Sequence, residues 1–411
     1  MDRDARTTCV IVGAGPAGLV LGLLLARAGV EVTVLEKHAD FLRDFRGDTV
    51  HPTTLGLLDD LGLLARFDAL PQSRIRRVSV PTANGAHAVL ADFSRLPVRH
   101  AYIAMVPQWD LLDLLAEAAA AEPSFTLLTE HEVTEVVRDG DRVVGVRFTA
   151  PSGSGRLLAD LTVACDGRWS AVRRSVGLEA REVAVGFDVW WYRIPTGRAV
   201  GESLLPRIGA GRVAIAIPRR GYLQVARLGR KGTDAEVRAR GIEAFRAEAA
   251  ALLPEVADDV DAIASMDEVK HLDVRLDRLR RWHAPGVLCI GDAAHAMSPV
   301  GGVGINLAVQ DAVATARLLA GPLRRGVFGS GGDTLLARVQ RRRGLPAVLV
   351  QTLQRLLHAR LILPALSGRL SGPPPSVVAL LRTLPALAVV PALLVGVGPR
   401  PERAPAWSRR P

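Results

Sequence analysis

Two kinds of apolar pattern alternate along the chain. Short, nearly continuous runs at Thr8–Val12, Glu31–Leu35, Leu157–Cys165 and Val287–Ile290 predict strands buried on both faces, as in a parallel sheet. Alternating runs at Arg74–Val80, Ala86–Ala91, His131–Arg138, Arg142–Thr149, Val189–Ile194 and Val213–Ile217 predict antiparallel strands. Asn84-Gly85 and Asp139-Gly140-Asp141 are the turn signals of two hairpins. Helices are predicted at Leu19–Ala28, stopped by Gly29, at Asp234–Leu253, and at Ile305–Leu319 behind the turn Gly301–Gly304. Met266–Leu276 reads as one more strand.

From Gly344 onward the chain reads as helical and very apolar. Within it, Leu384–Val397 is interrupted by Pro385 and Pro391. Its apolar length is short of the roughly 20 residues that a spanning helix needs. We expect a helix packed over the core and no transmembrane segment; peripheral membrane contact stays open.

Composition narrows the class. With 49% hydrophobic residues in 411, the chain has ample material for a large core, which excludes a mostly disordered protein. Aromatics are only 4%, too few for a surface that stacks successive bases, so no nucleic acid partner is expected. The formal charge of +10 comes almost wholly from arginine, since the lysines are Lys37, Lys231 and Lys270 alone. The cluster Arg338 and Arg341–Arg343 reads as an exposed helical face. Cys9, Cys165 and Cys289 are too few and scattered for a disulfide framework or a zinc site. They read as buried thiols in a reducing, cytoplasmic setting, and the N-terminus lacks a signal-peptide pattern.

The first candidate chemistry lies after the first strand. Gly13-Ala14-Gly15-Pro16-Ala17-Gly18 sits between a buried strand and a helix, with Glu36 at the end of the next strand. Gly13 permits a tight turn, Gly15 lets backbone approach a pyrophosphate, and Gly18 lets the helix lie close to the sheet. The free N–H groups at the start of that helix favour an anion. Glu36 is placed for a ribose hydroxyl, with Lys37 beside it. This motif binds a dinucleotide but does not separate NAD from FAD.

Two later segments each follow a buried strand: Asp166-Gly167-Arg168-Trp169-Ser170-Ala171-Val172-Arg173 and Gly291-Asp292-Ala293-Ala294-His295. Read alone, each is also an ordinary Asp cap before a helix. With the first loop, they resemble in order and type the FAD-dependent class A flavoprotein monooxygenases of the para-hydroxybenzoate hydroxylase fold. The likeness spans nearly the whole chain and is most specific from Asp292 to Asn306.

That resemblance implies an α/β fold: a Rossmann-like FAD-binding domain interrupted by an antiparallel β-sheet substrate domain, with a C-terminal helical segment. The expected division is 1–72, 107–180 and 277–343 for FAD binding, 73–106 and 181–276 for the substrate domain, and 344–411 for the helical segment. By the same resemblance, Asp292 binds the ribityl chain, and Asp166 belongs to a motif shared by the FAD pyrophosphate and NAD(P)H. Arg46, in Phe45-Arg46-Gly47-Asp48, lies near flavin and pyrophosphate. Gln108 stands where many relatives carry arginine, and Val133 holds adenine through its backbone. Pro299 shapes the wall beside the flavin. Gly302, Gly304, Ile305 and Asn306 surround a helix start whose N–H groups face the pyrimidine edge.

The activity implied is hydroxylation of an aromatic or polyketide-like small molecule with O2 and NAD(P)H, a transient co-substrate, through a flavin C4a-hydroperoxide. No second GxGxxG unit is evident, as expected where NAD(P)H visits without a domain of its own. Trp190-Trp191-Tyr192-Arg193-Ile194-Pro195 is similar to the Trp-x-Trp-x-Ile-Pro signature of flavin-dependent halogenases, but Tyr192 replaces the second Trp. A substrate-domain strand is the preferred reading. His295 is expected to be structural, and His51 to open a helix. Two alternatives remain at this stage: a reductase or dehydrogenase of the same superfamily acting on a lipophilic substrate, and a flavin-binding protein without turnover. The chain is expected to be a monomer or homodimer.

Overall fold

A computed structural model describes residues 5–42, 48–81, 87–198, 204–209, 211–219, 221–328, 332–370 and 375–410. Strand β1 (Ala5–Val12), helix α1 (Pro16–Arg27) and strand β2 (Val32–Leu35) form the opening βαβ unit. All four residues of β2 are buried, as a parallel strand covered on both faces requires. Helix α1 is apolar on nearly every side because it lies between the sheet and two further helices, Gln108–Ala120 and Gly304–Arg324.

Helix α2 (Pro52–Asp60) follows. The long strand β3 (Gly153–Ala164) then enters the sheet beside β1. Across the sheet the order is His283–Ala284, Val287–Cys289, β3, β1, β2, Phe125–Leu128. The five strands from Val287–Cys289 to Phe125–Leu128 run parallel, and the hairpin Glu132–Asp139/Arg142–Ala150 pairs antiparallel onto the outer part of β3.

The second sheet is antiparallel and centred on strand β4 (Phe187–Pro195), with the order Leu205–Gly209, Arg212–Arg219, Tyr222–Arg230, β4, Lys270–Leu272. Its alternation resolves into two faces. Trp190, Tyr192, Ile194, Ala214 and Val225 pack under the helices of residues 234–252, while Phe187, Val189, Ala226 and Leu228 pack inward, toward Val300 and Ile362. The chain returns through strand β5 (Val287–Cys289) to helix α3 (Gly304–Arg324), helix α4 (Asp333–Leu357), a π-helical turn at His358–Ile362, and the short helices α5 (Pro375–Thr383) and α6 (Val389–Gly396).

Several expectations need correction. Arg74–Val80 is two strands, Ser73–Ile75 and Arg77–Pro81, which pair with different partners. The turn expected at Asn84-Gly85 lies outside the described residues. The helix expected over Asp234–Leu253 breaks at Gly241, where φ is +77°. Met266–Leu276 is not one strand: it divides into a 3-10 turn, the strand Lys270–Leu272, and the start of Leu276–Leu279, which pairs with Ala180–Val183. The expected boundary between 343 and 344 falls inside α4. Among the described residues, no helix is long and apolar enough to cross a membrane. Arg343 is not on an exposed face: it is 1% exposed and ion-paired to Asp311 at 2.9 Å.

Candidate cofactor site

Three loops at the ends of parallel strands meet. At Gly13, φ is +98°, and a Cβ would stand 2.6 Å from the Cys165 carbonyl oxygen and 3.0 Å from Asp166 Cα. Only glycine lets the first loop press so closely on the second. The Gly291 Cβ position is 3.5 Å from Ala17 and 3.2 Å from Ala308, so the third loop rests on the first turn of α1 and on α3. Arg168 joins the second loop to the third by donating to Asp292 at 3.4 Å.

Gly15 caps α1, with no side-chain cap and no acid in the first turn, Pro16-Ala17-Gly18, and nothing stands within 4 Å of its Cβ position. The helix therefore presents unpaired N–H groups to open space. Glu36 closes one side: its buried carboxylate accepts from Ala14 N–H at 2.9 Å and His38 N–H at 3.1 Å. Lys37 beside it is exposed. The Glu36 carbonyl accepts from His131 N–H at 2.8 Å, which brings Val133, buried and two residues on, to the same edge. Asp166 accepts from Val172 N–H through Oδ2, while its buried Oδ1 has no partner. Burial pushes this carboxyl up, against the pull of the Ser170 and Val172 donors. An orphaned acceptor in that position fits a hydroxyl-bearing ligand.

At the other end, Gly301 and Gly302 both have positive φ, and the Gly302 N–H donates to the Pro299 carbonyl at 3.0 Å. A Cβ on Gly302 would strike Thr49 Oγ1, which donates to the Gly302 carbonyl at 2.8 Å. Helix α3 then starts at Gly304-Ile305 with no side-chain cap and no acid in its first turn. Asn306 Oδ1 is already taken by Thr53 and Thr54, at 2.7 and 2.9 Å, which ties α2 to α3. His51 stands at the cap of α2, as expected. Its buried ring lies 3.1 Å from the Gly302 carbonyl and 2.9 Å from that of Val395 in α6. Burial pushes its pKa down to about 4, so the ring is neutral. Gln108 opens the helix Gln108–Ala120 beside the buried Asp48–Arg219 pair. Arg46 lies outside the described residues. The structure thus brings Gly13, Gly15, Pro16, Ala17, Gly18, Glu36, Asp166 and Asp292 to one place.

Residues that the sequence reading missed hold the third loop from behind. Gln354 accepts from Ser298 N–H at 3.2 Å and donates to the carbonyls of Ser298 at 2.8 Å and Val300 at 2.9 Å. Gln351 donates to the Ala296 and Asp277 carbonyls, and His358 bonds Ser298 Oγ at 2.9 Å. Their spacing of three and four in an apolar helix was a readable signal of one buried polar stripe. Further along, Asp311 receives Gly291 N–H at 3.2 Å, His295 at 2.6 Å and Arg343 at 2.9 Å. Trp190–Pro195 is a strand, with Trp190 and Tyr192 under the helices and Trp191 on the inner face.

Open helix ends at Gly15 and Gly304, an orphaned acceptor at Asp166 and three converging loops have the form of a dinucleotide site. The chain matches the FAD binding domain family over residues 6–351 and belongs to it. It is an FAD-dependent oxidoreductase of the class A monooxygenases. It is 34% identical over 337 residues to 6-methylpretetramide 4-monooxygenase of Streptomyces rimosus, covering 78% of this chain and 77% of that one. With para-nitrophenol 4-monooxygenase of Pseudomonas sp. (strain WBC-3) it shares 29% over 340 residues, 77% of this chain and 78% of the relative. Among solved structures, OxyS anhydrotetracycline hydroxylase from Streptomyces rimosus superposes with a TM-score of 0.73 at 28% identity, covering 95% of this chain and 76% of that chain.

Proposed function

We propose that this chain hydroxylates the ring of an aromatic or polyketide-like small molecule, using NAD(P)H as transient reductant and O2 as oxidant. The balance is substrate C–H, O2, NAD(P)H and a proton giving substrate C–OH, NAD(P)+ and water. When bound, FAD supplies the redox chemistry, accepting hydride from NAD(P)H and activating O2. The chain's own residues bind and orient. The first turn of α1 takes the pyrophosphate, Glu36 a ribose hydroxyl, Val133 the adenine through its backbone, Asp166 and Asp292 the remaining hydroxyls, and the N–H groups of Gly304 and Ile305 the pyrimidine edge. Val300 packs in the same hydrophobic cluster as Trp191 and Ile215 on the inner face of the antiparallel sheet, and with Pro299 these residues are the ones we assign to the walls of the reaction space. Such apolar walls exclude water from the reacting centre. Three free cysteines, whose thiols burial pushes up, support a reducing compartment.

The observation that carries this reading is the meeting of Gly13, Asp166, Ala17 and Gly291 within van der Waals reach. Named relatives act on a polyketide and on a nitrophenol, which supports the substrate class. The test is NAD(P)H oxidation by the purified protein with anhydrotetracycline and para-nitrophenol as probes under 18O2. Stimulated oxidation with one 18O in the product is expected. Oxidation without label in any product would overturn the hydroxylase reading.

A further inference from the structure

Ten of the fourteen large apolar side chains exposed among the described residues lie between Leu345 and Leu394. They form two runs. On α4 and the turn beyond it, Leu345, Leu349, Thr352, Leu356, Ala359 and Leu363 recur every three or four residues, so they lie along one stripe of the helix. From α5 through the turn at 384–388 to α6, the exposed large apolar residues are Leu380, Leu384, Leu387, Val390, Leu393 and Leu394, each 37–53% exposed. Val350, on the buried side of α4, and Leu394 of α6 border the same small cavity, so α6 packs beside the side of α4 away from the stripe. A soluble surface rarely leaves this much aliphatic area in one place without a use.

Charge indicates what covers it. Between Thr334 and Pro401 the chain has nine arginines and no aspartate or glutamate. Arg342 and Arg343 pair with Glu402 and Asp311. The other seven, among them Arg355, Arg360 and Arg382, are exposed, and none has a carboxylate partner among the described residues. At 100° per residue, Arg355 and Arg360 flank the leucine stripe on either side. A second copy of this chain would set arginine against arginine across the seam. An anionic lipid surface instead matches both features at once, with leucines at the acyl boundary and guanidinium groups on phosphates.

We propose that the exposed leucine stripe of α4 and the turn beyond it, flanked by Arg355 and Arg360, docks on an anionic lipid bilayer. The opposite, buried side of the same stretch faces the cofactor site: Gln354 of α4 and His358 of the turn beyond it hold the loop at Ser298. The proposal stands apart from the reaction assigned above, because its readout is binding.

The test is flotation of the FAD-loaded full chain with vesicles of phosphatidylcholine alone and of phosphatidylcholine with phosphatidylglycerol in equal parts. At least about tenfold more protein is expected to float with the anionic vesicles, and high salt should reverse it. L349E/L356E and R355E/R360E should each cut that binding about tenfold or more, with FAD content and thermal unfolding unchanged. Equal flotation with both vesicle types, or with neither, would overturn the proposal. So would concentration-dependent self-association in sedimentation that the same variants abolish, since that assigns the face to a second copy.

Discussion

Gly302 and His51 meet at one carbonyl, and each makes a measurable demand there. With φ at +62° and Thr49 Oγ1 in the path of any Cβ, Gly302→Ala should destabilise the fold by about 2 kcal/mol and weaken FAD binding. Thermal unfolding and an FAD titration measure the two effects. His51 gives a pH dependence whose sign follows from burial. Its folded pKa of about 4 lies below the usual 6.5, so its contribution is complete above 6.5 and is lost as pH falls toward 4. Relative to His51→Asn, wild type should lose about 2 kcal/mol between pH 7 and pH 5 in urea unfolding. A difference that does not change with pH would mean that folding does not lower the His51 pKa. At this scale the sequence was informative where backbone geometry dictates residue type, as at Gly13 and Gly302. It was silent on His51 as a bridge, because the bridge spans a separation of 344 residues.

Helix α4 illustrates what local propensity misreads. Gly344 and Pro346 look like a boundary, and Pro346 deprives the Arg342 carbonyl of its helical donor. The helix continues because its buried face, from Leu336 through Arg343 and Ala347 to Gln354, is held by tertiary contacts. Strand facing was likewise hidden: alternation in Trp190–Pro195 is plain, but only the covering helices decide which side is inward. The functional weight of α4 lies in Gln354. In Gln354→Leu, the buried Ser298 N–H and the Ser298 and Val300 carbonyls lose their partners at once. The expected cost is about 2–4 kcal/mol. The loop before α3 should also loosen, so that more NAD(P)H is consumed per product formed. Product yield against NAD(P)H oxidised checks this; unchanged coupling with lowered stability would leave Gln354 purely structural.

Over the whole molecule, the parallel sheet and the order of the three loops were legible because each loop follows a continuous apolar strand. The closure of the C-terminal part onto the cofactor site was not, since it runs through buried charge rather than apolar pattern. Asp311 on α3 is fully buried, and burial alone would raise its carboxyl; His295 and Arg343 outweigh this and hold it below the usual range. The same carboxylate accepts Gly291 N–H, while Arg343 also donates to the Arg400 carbonyl. One ion pair thus joins the third loop, α3, α4 and the C-terminal extension. Arg343→Met removes one partner and leaves a buried carboxylate underpaired, a change that costs about 3–5 kcal/mol where such pairs are broken. Because Gly291 shares that carboxylate, the loss should appear as a lower unfolding midpoint and as reduced FAD content in the purified protein. Arg343→Lys supplies a point charge without the planar fork, and should recover part of both. If FAD content stays full in Arg343→Met while stability falls, the ion pair supports the C-terminal helices without positioning the third loop.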